Sequence, residues 1–183
     1  MKFIPEHVYH VYNQGNNKEK IFFENFQYNY FLQLYQSYII PHYETLCWCL
    51  MPNHFHFMVY ADERCLQLNK QGGLILDPIT NGIQKLLSTY THEFNIKNNR
   101  SGSLLRPKTK AKNLTEEAEV VIDQPGKTDY LFNCFNYIHN NPKEAELVNF
   151  AEDWKWSSYR FYKGLRQNSI CNKDLAKKIS GLV

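Results

Sequence analysis

Residues 44–60 read ETLCWCLMPNHFHFMVY, two runs of strand-forming residues on either side of Pro52-Asn53, and no other stretch limits the fold as strongly. A Pro-Asn step between apolar runs marks a turn, so 44–50 and 54–60 are expected to pair as a hairpin. On a strand, side chains two apart share a face and lie roughly 6.5–7 Å apart. His54 and His56 therefore point one way while Phe55 and Phe57 point into a core. Cys47 and Cys49 share a face too, and an even-numbered turn would set them opposite the histidines.

The flanking chain supplies the partners this hairpin needs. Residues 7–13, HVYHVYN, read as a first strand, and Gly15-Asn16-Asn17 as a loop. Phe23, Phe26, Tyr30, Phe31, Leu34 and Tyr38 recur at helical spacing and predict a helix over 23–38. A linker with Gly72-Gly73 leads to a second helix, with Asp77 as N-cap and Pro78 as its first residue. Its stripe is Ile79, Ile83, Leu86, Leu87, Tyr90 and Phe94, and it should stop near Asn98-Asn99. An extended segment is expected from about Leu104 to Leu114. An acidic stretch follows, and Pro125-Gly126 breaks the chain. A helix over 129–140 is expected to end at Pro142, because the residue before proline avoids helical angles.

The order β-α-β-β-α-β predicts an α+β fold: a ferredoxin-like (RRM-like) antiparallel sheet with helices on one face and a further helix, bearing Tyr137, near the C-terminus. We expect one domain over 1–183, with a core to about 150 and an aromatic and basic tail from about 151 that docks on it. At 43% hydrophobic and 21% charged residues, the composition argues against global disorder. A net charge of +3 permits a polyanionic partner without requiring one, so local clustering must decide. Five cysteines, an N-terminus with no apolar core region and no run of about 18 apolar residues predict reduced thiols, no membrane partner and a cytoplasmic protein.

Three groups of residues carry chemistry. His54 and His56 can hold a divalent metal, or can be polar residues on an exposed sheet face. With Cys47 and Cys49 they could instead form a tetrahedral zinc site, although such cysteines also serve as small apolar fillers. Tyr137 and Asn141, four apart on one helix, can present a phenol and an amide together. If that helix crosses the histidine face, Asn141 adds a ligand and Tyr137 sits beside the metal as a nucleophile for phosphodiesters. Otherwise Tyr137 is a core residue and Asn141 a helix end. Finally, Arg106, Lys108, Lys110 and Lys112 in RPKTKAK alternate; if extended, they set four cations along about 20 Å, suited either to phosphates or to guarding an exposed edge.

Taken together, YHVYNQGNNKEKIF, LMPNHFHFMV, GSLLRPKTKAK, YIHNNPKEAELV and DWKWSSYRFYKG, in this order, resemble the HUH-type single-strand DNA transposases with one catalytic tyrosine, in particular REP-associated tyrosine transposases. The resemblance covers most of the chain and is specific where LMPNHFH and YIHNNP occur together. It implies that His54, His56 and Asn141 bind Mg²⁺ or Mn²⁺ and that Tyr137 is the nucleophile. It implies a 5′-phosphotyrosine intermediate, a free 3′-OH and recognition of single-stranded DNA with hairpin structure. Joining two ends would take a homodimer's two sites or one site used twice. The alternative is a binding module that keeps the sheet and the basic segment without catalysis. Two departures from the pattern are the long acidic segment 114–127, expected to loop away or hinder DNA, and Glu144 and Glu146 after the proline.

Overall fold

The computed structural model describes residues 3–67, 69–71, 74–120 and 129–180. The chain runs β1 (Val8–Gln14), α1 (Asn25–Tyr38), β2 (Glu44–Met51), β3 (His54–Tyr60), β4 (Asn69–Gln71), β5 (Leu74–Leu76), α2 (Pro78–Lys97), β6 (Lys110–Asn113), α3 (Leu114–Val120) and α4 (Asp129–Glu144), with short helices α5 (Tyr159–Tyr162) and α6 (Lys173–Ser180) in the tail. Four strands form one antiparallel sheet in the order β2-β3-β1-β6, and β4 and β5 pair as a separate small hairpin. Counting β6 as the fourth strand, this is the expected ferredoxin-like order. The expected breaks at Gly72-Gly73 and Pro125-Gly126 lie outside the described residues. Among the described residues, no helix is long and apolar enough to cross a membrane.

Period-two alternation divides the sheet into two cores. Tyr9, Val11, Trp48, Leu50, Phe55, Phe57 and Val59 pack under α1 and α2, with the rings of Tyr35 and Phe57 stacked 3.9 Å apart. On the other face Val8, Cys47, Cys49, Met51 and Met58 meet Phe135 and Ile138 of α4. The two-residue turn does set Cys49 opposite His56.

Asp77 caps α2 by accepting a hydrogen bond from the Thr80 amide at 2.9 Å, and the expected stripe is buried except for half-buried Leu87. Gly82 lets α2 close on α1: a Cβ there would collide with the Tyr38 carbonyl oxygen and approach Ile39 Cδ1 to 3.0 Å. Gly82→Ala should therefore destabilise the protein by about 1–3 kcal/mol, read from denaturant unfolding. A midpoint equal to or above that of the parent would mean the helices separate freely.

Three expectations are corrected. In α1 the buried aromatics are Tyr28, Phe31 and Tyr35, whereas Phe23 is 59% exposed and Phe26 42%. The helix starts only at Asn25, with Gln27 Oε1 accepting from the Glu24 amide at 2.9 Å, and aromatics on several sides left its inner face undefined by pattern. α4 passes through Pro142 to Glu144. So late in a helix the ring removes a single bond, and the chain recovers with Ala145 N–H donating to the Asn141 carbonyl at 2.9 Å before Glu146 turns left-handed at φ 55°. The extended segment from Leu104 shrinks to a four-residue β6. Leu105 forms an isolated bridge with Gly15, and Arg106 N–H donates to the Gln14 carbonyl at 2.9 Å. Residues 107–109 then stand off the ladder, with Asn13 Nδ2 donating to the Arg106 carbonyl at 3.1 Å and to Thr109 Oγ1 at 3.0 Å. The acidic segment is helical over its described part, and Leu114 is buried at the start of α3.

The tail docks along the free edge of β2. Leu50 N–H donates to the Trp156 carbonyl at 2.8 Å, Ser158 N–H to the Trp48 carbonyl at 2.9 Å, and Asn172 N–H to the Thr45 carbonyl at 2.8 Å. Trp154 Nε1 donates to the Leu50 carbonyl at 3.0 Å, and the Tyr162 hydroxyl to that of Leu46. Ser158 Oγ lies 2.7 Å from His139 Nε2 on α4. Burial pushes His139 down to about 3 and keeps its ring neutral.

Candidate active site

Three elements converge on the α4 face of the sheet. β3 supplies His54 and His56, β1 supplies His10 and Tyr12, and α4 supplies Tyr137 and Asn141. The sheet register pairs Tyr12 with His56 and Gln14 with His54, so all these side chains share one face. The Tyr137 ring lies 5.5 Å from the His56 ring, edge-on at 76°, and 6.2 Å from that of His10. Tyr137 is 45% exposed, so its phenol is open to a large ligand. The four residues expected to share a site are thus brought together.

The hydrogen bonds fix which atoms are free. Asn53 Nδ2 donates to the Lys18 carbonyl at 3.3 Å, which turns Asn53 Oδ1 toward His54 Nδ1 at 2.6 Å. An amide oxygen only accepts, so His54 carries its proton on Nδ1 and Nε2 keeps a lone pair. Asn141 Nδ2 donates to the Tyr137 carbonyl at 3.3 Å, which turns Asn141 Oδ1 toward that same Nε2 at 3.2 Å. Burial holds His54 below the ordinary imidazole range despite the opposing effect of the Asn141 oxygen, so the ring is neutral. Two acceptors therefore face each other with no proton between them.

His56 adds a third. It is 4% exposed, and its Nδ1 lies 2.8 Å from His10 Nε2. The tautomer that donates Nδ1–H to His10 leaves Nε2 as a bare lone pair, and that atom is buried without a hydrogen-bond partner. Burial, reinforced by the neighbouring rings, pushes His56 well below its usual value; burial and Lys112 push His10 down to about 4. Neutral imidazoles held through one nitrogen, with the other bare, have the arrangement of metal ligands oriented by outer partners. The set of His54 Nε2, His56 Nε2 and Asn141 Oδ1 fits a divalent cation whose remaining positions are open to oxygens.

The cysteines do not join this set. Cys49 Sγ lies 3.8 Å from Met51 Sδ and Cys47 Sγ 3.9 Å from Met58 Sδ, and burial pushes both thiols up. Among the described residues no group of three or more His, Cys, Asp or Glu is placed to hold a metal ion, because His10 is engaged with His56 and the third donor is an amide.

Of the basic segment, Lys110 and Lys112 stand opposite Tyr12 and His10 on β6, at the margin of the site. Arg106 and Lys108 are exposed on the stretch that leaves the ladder. Lys112 reaches Glu117 of α3 at 3.5 Å, a surface pair of little energetic weight. His10 is the residue that sequence reasoning missed. One signal was present, its place at period two with Tyr12, but only the β1–β3 register reveals its partner.

No protein-family model matches the chain, and no curated protein matches it. Among solved structures it is similar to one described as a REP-associated tyrosine transposase bound to a REP hairpin, at TM-score 0.59 and 14% identity, over 93% of this chain and 87% of that one. At that identity the likeness is one of fold.

Proposed function

We propose that this protein cleaves and rejoins single-stranded DNA through Tyr137, in the manner of the REP-associated tyrosine transposase whose fold it shares. The observation that carries the reading is the meeting of His54 Nε2 and Asn141 Oδ1, 3.2 Å apart, beside the His56 ring, whose buried Nε2 has no hydrogen-bond partner, with an accessible phenol on the same helix as Asn141. Mg²⁺ or Mn²⁺ held there would polarise the scissile phosphate and offset its negative charge.

The chain's own residues account for the remainder. Tyr137 Oη releases its proton to solvent and attacks the phosphorus, and the bond from phosphorus to the 3′ oxygen breaks. The leaving oxygen takes a proton to become a free 3′-OH, and the 5′ phosphate stays esterified to tyrosine. Attack by a 3′-OH reverses these steps, so the phosphodiester energy is conserved and no nucleotide cofactor is consumed. Asn53 and His10 hold the two imidazoles with Nε2 bare. Lys110 and Lys112, opposite Tyr12 and His10, supply positive charge at the margin of the site for the strand's phosphates.

The test is incubation with end-labelled hairpin DNA bearing single-stranded flanks, in Mn²⁺, followed by a denaturing gel. A covalent protein–DNA species is expected. Salt-sensitive binding with no adduct under any divalent cation would instead identify a non-catalytic binding module. His10→Phe should weaken Mn²⁺ binding about 10- to 100-fold, the usual effect of losing an outer partner, as followed by the Mn²⁺ electron paramagnetic resonance signal. Unchanged affinity would remove His10 from the site.

A further inference from the structure

Away from the tyrosine, an open groove of about 1050 Å³ runs between α2 and the 103–109 segment. Its lining includes Lys85 and His92 from α2 and Arg106 and Lys108 from the facing segment, with hydroxyl and amide side chains among them and no carboxylate. Lys85 and His92 are exposed, and neither Lys85, Arg106 nor Lys108 forms an ion pair among the described residues. Of the nearest acids in sequence, Asp77 is engaged in capping α2 through Thr80, and Glu93 lines a different pocket with Phe26 and Tyr30.

Asn81, 7% exposed, also borders this groove, and its Oδ1 has no hydrogen-bond partner. A buried acceptor left bare carries a penalty of about 1–3 kcal/mol. Such an acceptor is completed by a donor, from water or from an N–H or O–H of a ligand, and not by a phosphate oxygen. The groove is open, its formally charged side chains, Lys85, Arg106 and Lys108, are all basic, and Ile83, Leu87, Leu105 and Pro107 supply apolar surface among them. Its character suits an extended polyanion.

The groove also leads somewhere. Arg106 and Lys108 form one wall, and the same stretch of chain continues directly into Lys110 and Lys112 of β6, opposite Tyr12 and His10. From Arg106 to Lys112 an extended chain covers about 20 Å. β6 is the last strand of the sheet, so the cations pass around that edge from the α2 side to the tyrosine side. We infer that the α2 groove holds the phosphate backbone of the DNA flanking the cleavage point, so that one path of cations runs from Lys85 to Lys112. The inference rests on the nucleic-acid reading above and adds α2 to the surface that binds the strand.

The test uses two exposed α2 positions outside the basic segment, Lys85→Ala combined with Ser88→Glu, in buffer with chelator so that no cleavage occurs. Binding is measured against salt for two probes, a hairpin with long single-stranded flanks and the same hairpin without them. For the flanked probe we expect affinity to fall about tenfold, with the slope of log K against log salt shallower by about 0.7 per lost contact. The unflanked hairpin should bind as to the parent. Thermal melting by circular dichroism checks that the variant is folded. Parental affinity and slope for the flanked probe, or an equal loss for both probes, overturns the groove while leaving the tyrosine site standing. A parent protein that binds neither probe overturns both readings.

Discussion

Tyr137→Phe is expected to abolish strand cleavage and the covalent adduct while leaving DNA affinity within about twofold of the parent. Removing a nucleophile typically lowers turnover by on the order of 10⁴-fold or more, because no other group can form the bond. The substitution deletes one oxygen from a side chain that is 45% exposed, so the packing of α4 through Phe135 and Ile138 stays intact. Binding and bond-breaking should therefore separate cleanly. Cleavage by the variant at a rate near that of the parent would show that another residue, or water, attacks the phosphate.

His56→Ala is expected to lose metal-dependent cleavage by on the order of 10³-fold, equivalent to several kcal/mol of transition-state charge stabilisation. His54→Ala should lose a similar amount, with partial recovery at high Mn²⁺ because His54 is only half-buried. His56 lies in the interior, so His56→Gln provides a control closer in volume. Its melting temperature should stay near that of the parent while activity remains lost. Tyr137→Phe should show no recovery at any Mn²⁺ concentration. The measurement is adduct formation against Mn²⁺ concentration for each variant. Parental rates in His56→Ala, or Mn²⁺ rescue of Tyr137→Phe, would dissociate the imidazoles from the chemistry.

Most of the architecture was legible where local signals agreed. Pro52-Asn53 between alternating runs gave the hairpin, and Asp77-Pro78 with a clean stripe gave α2. The inner face of α1 was misread because its aromatics surround the helix axis, and only packing on Phe55 and Phe57 selects Phe31 and Tyr35. The basic segment reads as longer than the strand it forms because the side chain of Asn13, almost a hundred positions away, bonds across 107–109 where they leave the ladder. His54, His56, Tyr137 and Asn141 were legible as two short motifs. His10 was not, since a lone histidine in a strand has no motif and its partner is fixed by pairing across 46 positions. The α2 groove was equally invisible, because it depends on how a loop lies against a helix.

The contact of Ser158 with both Trp48 and His139 has a bearing on timing. It joins positions 110 apart, and long loops are slow to close. The four strands can assemble with only part of the chain in place, but the helix carrying the phenol is anchored from behind by residues that arrive afterwards. A newly made molecule would thus bring His10, His54 and His56 together before Tyr137 is locked over them, and on the proposed function DNA cleavage would be among the last properties it acquires.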